Sequence, residues 1–110
     1  MKPEKLIQDG QVAILYSPGY GAGWSTWAHE PEIAEFLLFD RRLVELANRK
    51  ASEGEVKLFL ESIFGEEYIS TGGWKKIAFR WIPVGAKFWI AEYDGSESVM
   101  QSDPTDYYVA

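Results

Sequence analysis

A loop rich in glycine and aromatic residues holds the residues of this chain best suited to binding. We call residues 16–27, YSPGYGAGWSTW, the glycine loop. Glycine lets a backbone approach a ligand closely, whereas bulky rings are uncommon in a solvated loop. Either the rings fold back over the core or they line a recess bordered by backbone amides. The alternating glycines and the rings among them are Gly19, Gly21, Gly23, Tyr20, Trp24 and Trp27.

The glycine loop has the topology of a phosphate cradle but not its spacing. In such cradles, a glycine turn between a strand and a helix offers backbone amides to a phosphate. Gly-x-Gly-x-Gly matches neither the dinucleotide-binding fingerprint nor a Walker loop. No lysine or arginine lies between Lys5 and Arg41, and acids open the next helix. We therefore expect the glycines to route the chain around Trp24 and Trp27.

Catalysis and metal binding find little support among the polar residues. His29 is the only histidine, and neither Ser17 nor Ser25 stands in a nucleophile elbow. A lone histidine beside Glu30, in a chain without cysteine, lacks the spacing of a metal site. The sequence therefore predicts a protein that is not an enzyme and that holds no metal or cofactor.

A second candidate binding surface depends on how two predicted strands pair. If Ile82 pairs with Lys87 across a turn, basic and aromatic side chains share one face. On that face Arg80 stands opposite Trp89, and Lys76 lies nearby. Such a surface can stack bases or hold a phosphate. In the alternative interpretation, the basic stems only cover rings on a solvated face.

The composition narrows the class of protein. At 110 residues the chain is expected to form one domain, and its net charge of −6 argues against nucleic acid as a partner. No apolar run approaches the roughly 20 residues of a membrane helix, and the first residues lack the apolar region of a signal peptide. We therefore expect a cytoplasmic protein without a membrane segment.

The first half of the chain predicts a buried strand followed by an αα-hairpin. Residues 12–16 form a continuous apolar run, typical of a strand buried on both faces, and Asp9-Gly10 can close a hairpin with residues 5–8. Pro31 suits the first turn of a helix, and Asp40 interrupts its apolar stripe. Asp40 can cap a new helix or meet Arg41 or Arg42. A capping box at Ser52 and Glu55 opens the second helix, and Gly65 ends it.

The second half predicts a three-stranded antiparallel meander, because the apolar period changes from 3.6 to 2. Turns at residues 83–86 and at Asp94-Gly95 separate its strands. Together the elements indicate an α+β domain over residues 1–101, with both helices on one face of the sheet, and a short acidic tail over residues 102–110. The expected core includes Ile14, Phe36, Leu60, Phe79, Trp81 and Ile90.

Three stretches carry a resemblance to other proteins. With YSPGYGAGWSTW, EFLLFD and EYDGSES, the chain resembles a group of small uncharacterised proteins encoded by bacteriophages and prophages. The resemblance extends along most of the chain and brings no established activity with it. It implies a bacterial cytoplasm and a small accessory protein that acts by binding.

Two functional hypotheses remain. In the first, Tyr20, Trp24 and Trp27 bind a protein partner, either a host protein or a second copy. In the second, the loop amides or the face of Lys76, Arg80 and Trp89 bind a small ligand such as a nucleotide. In either case we expect Trp24 or Trp27 to be buried against Phe36 or Leu37, with Tyr20 exposed at the loop tip.

Overall fold

The computed structural model describes residues 2–101 and 107–110 and has the predicted α+β architecture. The strands in these ranges are β1 (Ile7–Gln8), β2 (Gln11–Tyr16), β3 (Ala78–Pro83), β4 (Lys87–Tyr93), β5 (Ser96–Met100) and β6 (Tyr108–Val109). The helices are α1 (Pro31–Phe39), α2 (Arg41–Asn48) and α3 (Glu53–Phe64), with 3₁₀ turns at Ser25–Trp27 and Gly72–Lys76. Within the described ranges, no helix has the length and apolarity needed to cross a bilayer.

Strand β2 lies at the centre of the fold and is buried on both faces, as its apolar run predicts. Strands β1 and β3 pair with it antiparallel, and Asp9 and Gly10 form the predicted turn with φ of +52° and +73°. On one face of β2, Ala13 and Leu15 belong to a core cluster that includes residues of all three helices. The other face packs against the second sheet, which has the strand order β5-β4-β6. The sheet of β2 therefore lies between a helical layer and a second sheet.

A buried aspartate divides the predicted first helix into α1 and α2. The side chain of Asp40 has no exposed surface and accepts a hydrogen bond from the amide of Arg42 at 3.2 Å, which caps α2. The guanidinium of Arg42 also donates to Asp40, with Nε 3.0 Å from Oδ2. This hydrogen bond raises the pKa of Arg42 above its ordinary value. Both sequence-based alternatives for Asp40, a helix cap and an arginine partner, are therefore confirmed together.

Helix α3 begins and ends where the sequence predicts. The hydroxyl of Ser52 accepts a hydrogen bond from the amide of Glu55 at 3.1 Å, which satisfies one unpaired donor of the first turn. Gly65 follows the last turn with φ of +66°, a conformation that favours glycine.

The strand pairing differs from the predicted meander. Strand β3 pairs along its length with β2, and Arg80 therefore stands opposite Ile14 instead of Trp89. Strand β4 pairs with β5 and β6, so the predicted pairing of Ile82 with Lys87 does not form. The turn after Pro83 carries the chain from one sheet to the other. The physical reason is that β2, apolar on both faces, needs a long partner strand to satisfy its backbone inside the protein.

This pairing also changes the predicted core. Ile14, Phe36 and Leu60 are buried as expected. Phe79, Trp81 and Ile90 are only half-buried and pack at the margins of the two cores. Because β3 is an edge strand of the first sheet, its side chains are covered less completely than those of β2.

The end of the chain belongs to the second sheet. The predicted acidic tail falls partly on residues 102–106, which lie outside the described residues. Val109 pairs with Lys87, and Ala110 is buried in the second core. Tyr108 stacks on Phe88 with 5.6 Å between ring centroids. Residues 107–110 are therefore part of the fold and not a tail.

Candidate functional site

A single buried carboxylate organises the glycine loop. Glu97 is 1 % exposed, and its Oε1 accepts a hydrogen bond from the amide of Ser17 at 2.9 Å. Its Oε2 accepts from the amides of Trp24 at 2.8 Å and Thr26 at 3.1 Å, and from the Thr26 hydroxyl at 2.5 Å. Hydrogen bonds to an ionised acceptor are shorter and stronger than neutral ones. Four donors therefore offset the cost of burying this charge.

The glycine loop also lies directly on the turn between β4 and β5. The amide of Gly21 donates to the carbonyl of Asp94 at 2.9 Å, and the amide of Glu97 donates to the carbonyl of Ser17 at 2.8 Å. Gly95 has φ of +84°, and a Cβ atom there would lie 2.5 Å from the backbone nitrogen of Ala22. The close approach of the two segments thus requires glycine at position 95.

These contacts show what the loop amides bind. Three of them converge on an anion, as in a phosphate cradle, but the anion is the protein's own Glu97 carboxylate. Reasoning from sequence missed this residue. The sequence pattern that indicates a buried Glu97 is the alternation along β5, where Glu97 and Val99 are buried while Ser98 is exposed.

Trp24 packs in the core instead of lying on a binding surface. Its ring has no exposed surface, and its indole nitrogen donates to the carbonyl of Leu37 at 2.7 Å. The ring also contacts Trp74, with 5.5 Å between centroids. The prediction that one loop tryptophan is buried against Leu37 is confirmed. The prediction that Trp24 is a binding residue is wrong, however, because an enclosed ring cannot contact a partner.

The other two loop rings remain accessible to solvent. Tyr20 is 73 % exposed, as predicted for the loop tip, and Trp27 is 39 % exposed. Trp27 lines an open cleft of about 750 Å³ between the glycine loop, α3 and residues 65–72. Tyr68, which is 79 % exposed, lines the same cleft. We call this cleft the acidic cleft, because its lining includes Glu53, Glu61, Glu66 and Glu67 and a single basic residue, Lys57.

The predicted basic and aromatic face does not form as expected. Lys76 ends a 3₁₀ turn, and its aliphatic stem covers Gly19. Arg80 donates from Nη1 to the carbonyl of Val99 at 3.2 Å, so it links β3 to β5. Trp89 is half-buried and lines a different cleft, of about 560 Å³, together with His29. The predicted face does not form because Arg80 pairs with Ile14 and Trp89 pairs with Met100, in different sheets.

The structure places the two polar residues Ser17 and His29 in different environments. Ser17 is buried, and its hydroxyl donates to the carbonyl of Ala22 at 3.3 Å inside the glycine loop. His29 is exposed just before α1. In residues 2–101 and 107–110, no three histidine, aspartate or glutamate side chains are grouped so that they could hold a metal ion.

Comparison with family models, with curated proteins and with solved structures finds no match to this chain.

Proposed function

We propose that this protein is a small, non-catalytic accessory protein that binds a protein partner through the glycine loop. The observation that carries this proposal is a pair of exposed rings, Tyr20 and Trp27, on a loop held in place by Glu97. Aromatic residues are enriched in protein interfaces and dominate their binding energy. Because the loop is already ordered, binding through it costs little conformational entropy.

A second exposed tyrosine strengthens the argument for this surface. Tyr93 is 77 % exposed and precedes Asp94, whose carbonyl accepts the hydrogen bond from Gly21. Tyr20 precedes Gly21 in the same way, so the two tyrosines flank one hydrogen bond. Exposed rings that share a rigid corner favour an interaction surface over an ordinary solvated loop.

The proposed setting is a bacterial cytoplasm, with a host protein or a second copy of the chain as the partner. It rests on the resemblance to phage-encoded proteins and on the surface described above.

Site-specific photo-cross-linking tests this function. A benzophenone side chain is placed at Tyr20 or Trp27, and at Val84 as a matched control. Val84 is 53 % exposed and lies at the opposite end of β4 from the Asp94 turn. We expect a discrete adduct in bacterial lysate from the loop positions and not from Val84. With the purified partner, Tyr20→Ala should raise Kd about tenfold or more. Equal adducts from all three positions would contradict the proposal.

A small-ligand function is the second candidate, and the cleft beside Trp89 favours it. This cleft of about 560 Å³ is bordered by Thr26, His29, Trp89 and Tyr107. Its volume and aromatic walls suit a small planar ligand. Thermal unfolding with mono-, di- and cyclic nucleotides tests it, because a ligand that binds only the native state raises Tm. An unchanged Tm across the series would remove this candidate.

A further inference from the structure

We propose that the acidic cleft binds a basic segment of the partner protein, with an arginine or lysine side chain lying against Trp27 and Tyr68. This inference rests on the proposed protein-binding function and names the chemistry of the partner. Both rings are exposed on the wall of a cleft that contains four glutamates and one lysine. The proposal extends the binding surface from the loop tip to α3 and residues 65–72.

The carboxylates of the acidic cleft differ from those of Glu45 and Glu55, two other exposed acids on the helices. Glu45 pairs with Arg41 on α2, and the carboxylate of Glu55 pairs with Arg49 at the start of α3. By contrast, no cation among the described residues forms an ion pair with Glu61, Glu66 or Glu67.

The fourth acid of the cleft, Glu53, accepts a hydrogen bond from the hydroxyl of Thr71 at 2.9 Å and forms no ion pair within the described residues. The carboxylates of Glu61, Glu66 and Glu67 are therefore available to a cationic partner.

The distribution of these acids favours an extended segment over a single ion. Glu53 and Glu61 are eight residues apart on α3, which separates them by about 12 Å along the helix axis. Glu66 and Glu67 follow beyond the end of the helix. Since no three acids converge on one point in the described residues, a divalent cation lacks a ligand set. A peptide with basic residues at successive positions matches acids spread over this length.

The rings supply the second part of the recognition. A guanidinium or ammonium group is attracted to the face of tryptophan or tyrosine by the charge distribution of the ring. Arginine fits best, because its planar group stacks on a ring while its nitrogen atoms donate to a carboxylate. Trp27 and Tyr68 border the same cleft as Glu66 and Glu67, so both interactions are within the same site.

Titration with a short basic peptide, followed by amide and indole NMR shifts, tests this inference. The peptide is acetyl-Gly-Arg-Lys-Arg-Gly-amide, and its counterpart carries glutamates in place of the basic residues. We expect shifts at residues 65–72 and at the indole of Trp27. The indoles of Trp24 and Trp74 should stay unchanged, since both are buried and donate to backbone carbonyls. They also report that each variant is folded.

A matched pair of charge reversals sharpens the test. Glu66→Lys should weaken peptide binding about fivefold, the size expected when exposed charge pairs are lost. Glu35→Lys makes the same change in net charge on the exposed side of α1 and should leave the affinity unchanged. If both reversals weaken binding equally, the effect is long-range charge and the inference is overturned. Spermine binding as tightly as the peptide, with the same shifts, would overturn it in favour of a small cation.

The two proposals can fail separately. Cross-linking at Tyr20 together with no peptide shifts in the cleft would overturn the basic segment but retain protein binding. Cleft shifts that obey the two reversals, without loop-specific cross-links, would instead support a basic segment and contradict binding through the loop tip.

Discussion

Two regions of this protein, the helix junction and the glycine loop, each enclose a carboxylate but hold it with different partners. At the junction of α1 and α2, Asp40 is fully buried and pairs with the guanidinium of Arg42 at 3.0 Å. In the glycine loop, Glu97 is held by three backbone amides and one hydroxyl. The junction thus adds a charged guanidinium to the two backbone amides that donate to Asp40, whereas the loop holds its carboxylate with uncharged donors only.

The comparison shows that the two regions depend on the rest of the fold to different degrees. Asp40 and Arg42 are two residues apart, so their contact is available as soon as α2 forms. The amide donors of Glu97 are 71 to 80 residues away from it in sequence. The pairing of Asp40 with Arg42 is therefore local, and the amide of Glu4 adds one distant donor to Asp40 at 3.2 Å. The carboxylate that binds the amides of the glycine loop, by contrast, comes entirely from a distant part of the chain.

Removal of the Glu97 side chain should have the largest effect on stability. Glu97→Ala leaves the buried amides of Ser17 and Trp24, and the part-buried amide and hydroxyl of Thr26, without their acceptor. We expect the free energy of unfolding to fall by about 3 kcal/mol or more. Urea denaturation followed by tryptophan fluorescence measures this. Ser98→Ala, at the neighbouring exposed position of β5, should change stability little. A loss for Glu97→Ala no larger than that of the control would show that the loop is held by other contacts.

Removal of charge alone should separate the two carboxylates. Glu97→Gln keeps the shape but turns an amide group toward amide donors, and we expect a loss of about 2 kcal/mol. Asp40→Asn retains an oxygen that can cap α2, so its loss should be about 1 kcal/mol. Both values come from urea denaturation under the same conditions. If Asp40→Asn lowers the free energy of unfolding more than Glu97→Gln does, the charge of Asp40 matters more to stability than the charge of Glu97.

The glycine loop also depends on its backbone conformation. Gly21 has φ of +104°, and a Cβ atom there would meet nothing within 4 Å, so substitution brings strain without a clash. Gly21→Val should cost about 1 kcal/mol or more. Gly54→Ala, in the first turn of α3 where space is open, should instead stabilise the protein by about 0.5 kcal/mol. Thermal unfolding of both variants checks the opposite signs.

Substitution of an exposed acid, Glu55, should have the smallest effect on stability, in contrast with the buried Glu97. The hydrogen bond from Arg49 lowers the pKa of Glu55 below its ordinary value of 4.5. Its contribution to stability is therefore present above that value and is lost as the pH falls through the lowered pKa. Glu55→Gln should lower Tm slightly at pH 7 and not at all in strong acid. A difference that persists unchanged at low pH would exclude the ion pair as its cause.

Reasoning from sequence was most successful where the cause of a structure is local. Pro31, Ser52 and Gly65 bound helices because caps and turns depend on neighbouring residues. The burial of Trp24 and the exposure of Tyr20 followed from the cost of leaving an indole in water and from the position of the loop tip.

The remaining features depend on contacts between distant residues. The turn at residues 83–86 is compatible with a hairpin and with a crossing between sheets, so it could not decide the partner of β3. Glu97 stands among surface-like residues in EYDGSES, and nothing in that stretch names Ser17 or Trp24 as its donors. The acidic cleft brings together α3, residues 65–72 and Trp27, a combination that only the folded chain defines.

The long sequence separation between Glu97 and its donors has a consequence during synthesis on the ribosome. The chain grows at roughly 5–20 residues per second, so the 70 residues between positions 27 and 97 take about 4–14 s to be added. During this interval the acceptor for the amides of Ser17, Trp24 and Thr26 does not yet exist. The glycine loop of the nascent chain therefore lacks its acceptor and stays accessible to chaperones until Glu97 has been synthesised.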